Sequence, residues 1–269
     1  MKALLVAVVM LAFAANSVLN RMAVGQGLID PAGFALLRLV AGAAVLALIA
    51  LWRGARLRGS VAGVLGLLVY LFGFSLAYGH LDAGTGALLL FGTVQVVMFA
   101  AARAAGEAVP ARRWVGVGLA LGGLVVLLTP AGKGGGLAFA AMVAAGAGWG
   151  LYSLAGRKAG DALAATAGNF VWALPFGAGI AWAIGADLGT AQAGGVWPAI
   201  VSGAVTSGLG YALWYAVLPT LDRSRAAAAQ LTVPVITAAG GALVLGEGVR
   251  LAFVLPAALV LGGVLVANR

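Results

Sequence analysis

Apolar stretches of about twenty residues, the length a helix needs to cross a bilayer, alternate with short polar breaks along the whole chain. They run at 3–20, 32–52, 59–79, 83–102, 113–129, 136–155, 165–185, 195–218, 226–245 and 251–267. Between them fall groups that end helices or demand water: Asp30-Pro31, Arg53 to Arg58, Glu107 to Pro110, Pro130 to Gly136, Asp187 to Gly195 and Gly246 to Arg250. The pattern predicts an all-α integral membrane protein of ten transmembrane helices. Within the first run, Ala12-Phe13-Ala14-Ala15 resembles a signal-peptide cleavage site. An internal repeat described below requires this helix, so it is read as a span.

Composition agrees with the pattern. Of the 269 residues, 63% are hydrophobic and 9% charged, against about 25% charged in soluble domains. The 43 glycines suit helices that pack backbone to backbone in lipid. A net charge of +9 does not point to nucleic acid, because the basic residues are spread between apolar runs. Their sorting instead sets orientation. With the N-terminus cytoplasmic, the inner side receives Lys2, Arg53, Arg56, Arg58, Arg103, Arg112, Arg113, Arg157, Lys158, Arg223, Arg225 and Arg269. The outer side receives Arg21, Lys133 and Arg250, and Arg38 is left inside a helix. Both termini are therefore expected in the cytoplasm.

The repeat is the most specific signal. Leu81-Asp82 matches Leu221-Asp222, Glu107 matches Glu247, and Leu121-Gly122-Gly123 matches Leu261-Gly262-Gly263, all at an offset of 140 residues. Ser17 and Arg21 match Ser153 and Arg157 at an offset of 136. The expected units are residues 1–130 and 136–269. Five helices per unit is an odd number, so the second unit is expected upside down relative to the first. Inverted repeats of this kind place a solute site near the midplane between halves.

Each half closes with an apolar helix, then Gly-Glu (Gly106-Glu107, Gly246-Glu247), a short basic link, and a last helix carrying Leu-Gly-Gly. With Pro234 in the ninth run and Arg38-Leu39 in the second, the chain resembles the EamA repeat of the drug/metabolite transporter superfamily over essentially its whole length. The first unit departs from that pattern at Val94, where the second carries Pro234, and the seventh run has no counterpart of Arg38. The resemblance implies helices 1–4 and 6–9 around a central cavity, with helices 5 and 10 peripheral. It also implies export of amino acids, aromatic or neutral ones above all, or of similar small metabolites across the inner membrane.

Polar and aromatic side chains inside spans are the candidate chemistry, because an unsatisfied polar group facing lipid is costly. Trp149 and Tyr152 share a helix face with Ser153; Tyr211 and Trp214 repeat that spacing; Asn169 and Trp172 share another face. Asn16, Tyr78, His80 and Gln95 complete the candidate solute-binding set. Rings with neutral hydrogen-bonding groups suit a small amphipathic solute. Trp52, Trp114 and Trp197 lie at run ends and read as interface anchors. His80 reads first as a loop-edge residue, with a gating or solute contact as the alternative. Arg38 reads first as a structural tie to helix-end carbonyls or to Asp30, and second as a ligand for a solute carboxylate. Spacings such as Gly59/Gly63, Gly118/Gly122 and Gly146/Gly150 read as packing contacts.

Several functions are disfavoured. One His and no Cys leave no zinc constellation, and no carboxylate pair is placed for acid–base work. Gly132-Lys133 lacks the spacing and hydroxyl of a P-loop. The chain is therefore expected to be no enzyme and to need no cofactor. None of the seven acidic residues falls within a run, which favours facilitated movement over proton coupling. The expected partners are a small-molecule solute and the lipid bilayer, with a homodimer through helices 5 and 10 left open. The competing readings are a membrane scaffold and a lipid-headgroup flippase.

Overall fold

The computed structural model describes residues 2–106, 110–128, 135–157, 159–221, 226, 229–248 and 251–268. Glu107, Lys133, Lys158, Asp222, Arg223, Arg225, Arg250 and Arg269, used above for the repeat and the charge sorting, lie outside these residues. Among the described residues every regular element is helical: α1 (Lys2–Val24), α2 (Pro31–Trp52), α3 (Val61–Tyr78), α4 (Ala83–Ala104), α5 (Ala111–Leu128), α6 (Gly135–Arg157), α7 (Ala162–Ala183), α8 (Ala193–Thr220), α9 (Thr232–Leu245) and α10 (Leu251–Asn268). Their boundaries fall close to those of the apolar runs. The chain supplies the stops by familiar means. The Asp30 carboxylate accepts from the Ala32 and Gly33 amides at 2.9 and 3.0 Å and opens α2, while Ser60 and Asp161 cap α3 and α7.

Seven of these helices (α1 to α4 and α6 to α8) are long and apolar enough to cross a membrane, and among the described residues Thr232–Leu245 and Val254–Ala267 are further apolar helical stretches. The side-chain distribution is inside out. Leu48, Leu51, Trp182 and Leu243 face outward, whereas Asn16, Asn20, Arg38, Ser75, Asn169 and Ser207 are buried. Water would reverse that arrangement; lipid requires it. Trp52, Trp114 and Trp197 are exposed near helix ends, as interface anchors are.

Glycines set how closely the helices pack. A Cβ on Gly66 would lie 2.7 Å from the Gly148 carbonyl oxygen, and one on Gly73 would lie 2.6 Å from that of Ala141. The α3–α6 pair is therefore antiparallel and nearly in backbone contact. Gly116 meets Gly263 and Gly123 meets Pro256, so α5 and α10 pack the same way. Gly146 and Gly150 fit against Thr93 and Val97, Gly59 against Trp172, and Gly63 against Asn169. Gly118 and Gly122 are the exception: among the described residues, side chains there would meet nothing within 4 Å. Their neighbours Gly116 and Gly123 take the packing role because they lie on the α10-facing side.

The helix pairs form a closed set. α3 packs on α6 and α1 on α8; α4 packs on α6 and α1 on α9; α2 packs on α8 and α3 on α7. Other pairs are α2–α7, α4–α9, α5–α10, α2–α3 and α7–α8.

Candidate functional site

The site begins with an irregularity in α8. Residues Ser202–Leu209 are π-helical. The wider i→i+5 turn brings residues four and five apart to the same side, so Ser202, Thr206 and Ser207 all converge on α1. There the Asn16 Oδ1 accepts from their three hydroxyls at 2.8, 2.5 and 3.2 Å, and Asn16 Nδ2 donates to the Thr206 carbonyl at 3.2 Å. One amide thus holds α1 to α8 at the depth where α8 departs from α-helical geometry.

Ser207 also faces α2. Its Oγ accepts from Arg38 Nε at 2.8 Å, and Arg38 Nη2 donates to the Tyr70 and Tyr211 hydroxyls at 2.9 and 2.6 Å. The guanidinium lies over the rings of Tyr70 and Phe74, 5.1 and 4.9 Å from their centroids. Arg38 has no exposed surface, and Nη1 has no hydrogen-bond partner. Close backbone approach makes this possible: a Cβ on Gly203 would strike the Arg38 carbonyl, and one on Gly42 would strike Phe170. The anticipated tie between Arg38 and Asp30 does not form. Asp30 is occupied by the start of α2 and by the Asp187 amide at 3.1 Å.

Aromatic rings enclose this centre. Trp149 of α6 lies 5.2 Å from Phe13, 5.1 Å from Tyr70, 5.5 Å from Tyr152 and 4.7 Å from Tyr211, centroid to centroid. Tyr152 packs on Tyr215 at 5.0 Å, and the Tyr215 hydroxyl donates to the Tyr152 carbonyl at 2.7 Å. The indole Nε1 of Trp149 and of Trp214 are buried without partners. Phe13, Ser17, Tyr70, Phe74, Leu90, Phe91, Trp149 and Tyr211 leave a void of only about 10 Å³, room for about one water.

Below the Tyr152–Tyr215 layer the molecule opens. A cavity of about 950 Å³ is lined by the starts of α3, α5 and α7 and the ends of α4, α6, α8 and α10. Gln95, Asn169, Tyr215 and Gln230 contribute to its wall, and Arg58, Arg113, Arg157 and Asp161 contribute charge. On the opposite face the described helix ends are tied together. Arg21 Nε donates to Glu247 Oε1 at 2.7 Å, Arg21 Nη1 donates to the Tyr78 carbonyl at 3.1 Å, and Asp82 lies 3.7 Å from Arg21. Gly246 closes α9 in the left-handed conformation (φ 68°). That turn brings Glu247 back over α4, where its Oε2 accepts from the Ala83 amide at 2.8 Å. Asp82 makes no side-chain cap bond to α4, so Glu247 satisfies one of that helix's free N–H groups in its place.

The candidate residues divide. Asn16, Trp149, Tyr152, Tyr211 and Trp214 are brought together at the centre. Gln95 and Asn169 line the open cavity, and Asn169 Oδ1 accepts from the Ser60 amide at 2.9 Å. Tyr78 belongs to the closed face, donating to the Ala83 carbonyl at 3.2 Å. His80 is exposed in the adjoining link. Trp172 is 47% exposed and packs on Gly59 away from the centre. Tyr70 was missed, although it precedes Phe74 and Tyr78 at four-residue steps on one helix face.

Fold and site together define a multi-pass helical membrane protein enclosing a cavity open on one face. Residues 135–269 match the EamA-like transporter family. The chain is also 47% identical over 251 residues to an uncharacterized protein of Pseudomonas aeruginosa, covering 91% of this chain and 86% of that one. A crystal structure of a protein with 20% identity superposes at a TM-score of 0.70, over 99% of this chain and 96% of that chain. That likeness is one of fold alone. The chain belongs to the EamA-like transporter family, whose members are membrane transporters of small molecules rather than enzymes.

Proposed function

We propose that the chain is an alternating-access carrier of the inner membrane that exports amino acids, aromatic and neutral ones preferred, or similar amphipathic metabolites. In this reading ten helices span the bilayer with both termini in the cytoplasm, and residues 1–130 and 136–269 are the two inverted halves. The helix pairing supports the halves: exchanging α1–α5 with α6–α10 turns α3–α6 into α8–α1, α4–α6 into α9–α1 and α2–α8 into α7–α3, and leaves α2–α7, α4–α9 and α5–α10 unchanged. At an offset of 140 residues the same exchange turns the Gly116–Gly263 contact into Pro256–Gly123.

The single observation that carries the function is the asymmetry of the two faces. A cavity of about 950 Å³ opens on the side of the N-terminus and ends at Tyr215, beneath the aromatic centre, while the Arg21–Glu247 cluster ties the other side. A carrier caught open to the cytoplasm has this form. Rings at the end of the cavity match the apolar part of the solute, and the movement is facilitative, since every described carboxylate lies at a helix end or in a link. Reconstitution into proteoliposomes tests the reading. Labelled L-phenylalanine or L-leucine is expected to move without a pH gradient or membrane potential; strict dependence on a proton gradient contradicts the facilitative part. A scaffold predicts no flux, and a Trp149→Ala variant that loses only a protein complex.

A further inference from the structure

Arg38 is a permanently charged group at full burial, and none of the contacts around it is a carboxylate. Its partners are the hydroxyls of Ser207, Tyr70 and Tyr211 and the faces of Tyr70 and Phe74. Among the described residues the nearest chemistry is entirely neutral, and the two ion pairs at the site's outer edge both use Arg21. Burying an unpaired cation is expensive, and hydroxyl and ring contacts recover only part of the loss. A purely structural staple between α2, α3 and α8 needs no charge; a neutral side chain would hold the same three hydroxyls at lower cost.

The donors at this centre also lack an acceptor. Arg38 Nη1 and Trp149 Nε1 are both buried without a partner, and both belong to the one aromatic cage, joined through Tyr70 and Tyr211. A group that only accepts, and carries negative charge, satisfies both deficits at once. The approach favours it too. The cavity that ends one helical turn away, at Tyr215, has Arg58, Arg113 and Arg157 at its mouth with Asp161 as the one described acid in its wall, so its field concentrates anions.

We propose that Arg38 is the recognition site for the carboxylate of the transported solute, which displaces the Tyr152–Tyr215 layer and pairs with Nη1 while its apolar part packs among Trp149, Phe13 and Tyr211. The inference rests on the carrier reading and narrows it: the solute is a carboxylate, and the decarboxylated amine of the same skeleton is rejected, since it brings a second cation to Arg38. A lipid phosphate offers a similar anion, but full enclosure of Arg38 by protein favours the small solute.

The test compares acid and amine on one skeleton. Wild-type protein is titrated with L-phenylalanine against phenethylamine and with L-leucine against isoamylamine, reading intrinsic tryptophan fluorescence and thermal unfolding. The same four compounds are then followed for flux in phosphatidylcholine liposomes with and without phosphatidylglycerol. The acids are expected to bind about a hundredfold more tightly than the amines, the scale of loss when one partner of a buried charge pair is removed. Folded Arg38→Gln loses that preference, and Arg38→Lys keeps part of it. The proposal is overturned if the amines bind as well as the acids, if neither acid binds, if folded Arg38→Gln keeps the wild-type preference, or if only phosphatidylglycerol elicits a response. The wild-type comparison decides the matter even should the variants fail to fold. Binding of acids without flux upholds the site and removes the carrier reading; equal flux of acids and amines upholds the carrier and removes the site.

Discussion

Arg21 and Glu247, 226 positions apart in the chain, meet at 2.7 Å and join the end of α1 to the link between α9 and α10. The same carboxylate holds the first amide of α4, so one acidic side chain ties three helices across the closed face. Opening that face requires all of these bonds to break together.

Removing the charge should bias the carrier toward its other state. Hydrogen bonds to charged groups are worth about 1.5–3 kcal/mol, so Glu247→Gln is expected to shift the equilibrium roughly tenfold or more toward opening on this side. The natural chain has no Cys, which makes single-cysteine labelling clean. Asn20→Cys, buried in the closed form, should react faster with a membrane-impermeant maleimide in the Glu247→Gln background; unchanged labelling would count against a gate here.

The converse holds for a locked face. Arg21→Cys with Glu247→Cys, bridged by a short bis-maleimide, should stop flux, while either single variant treated alike should retain it. Radiotracer uptake before and after bridging reads the outcome.

Asn16 accepts three hydroxyls from one π-helical stretch. Asn16→Leu leaves Ser202 and Ser207 without that acceptor, while Thr206 keeps the Ser202 carbonyl at 3.2 Å; the cost is about 1–3 kcal/mol for each buried group left unsatisfied. The midpoint of thermal unfolding in detergent should fall clearly, and a value equal to wild type would mean that α1 and α8 do not depend on this contact.

The structure separates residues that the sequence grouped. Trp149→Ala opens a cavity among four rings and should abolish flux while protein still reaches the membrane. Trp172→Ala, on a half-exposed face, should leave flux within about twofold, as surface substitutions do. Equal loss in both variants would place the solute path elsewhere.

Helices were legible because lipid rewards one simple pattern: a span is apolar throughout and its ends are polar. The burial of Asn16, Trp149 and Tyr211 was legible for the same reason, since polar or amphipathic side chains inside a span seek protein. Arg38 was harder. Asp30 stands eight residues before it, a natural partner in sequence, yet the true contacts come from Tyr70, Ser207 and Tyr211, up to 173 positions away. The π-helical turn left no mark in the residues Ser202–Leu209, because its cause is tertiary: hydroxyls drawn to Asn16 and a glycine pressed on α2. Trp172 misled by spacing. It shares a face with Asn169 as expected, but that face runs along the start of α3 and out of the bundle at Gly59.

Counterflow separates a carrier from a channel or a scaffold. Proteoliposomes preloaded with unlabelled L-phenylalanine or L-leucine, then diluted into a trace of the labelled compound, should accumulate label transiently above the level of empty liposomes, because a site that faces one side at a time exchanges one molecule for another. Folded protein that shows no such overshoot with either compound would contradict the account.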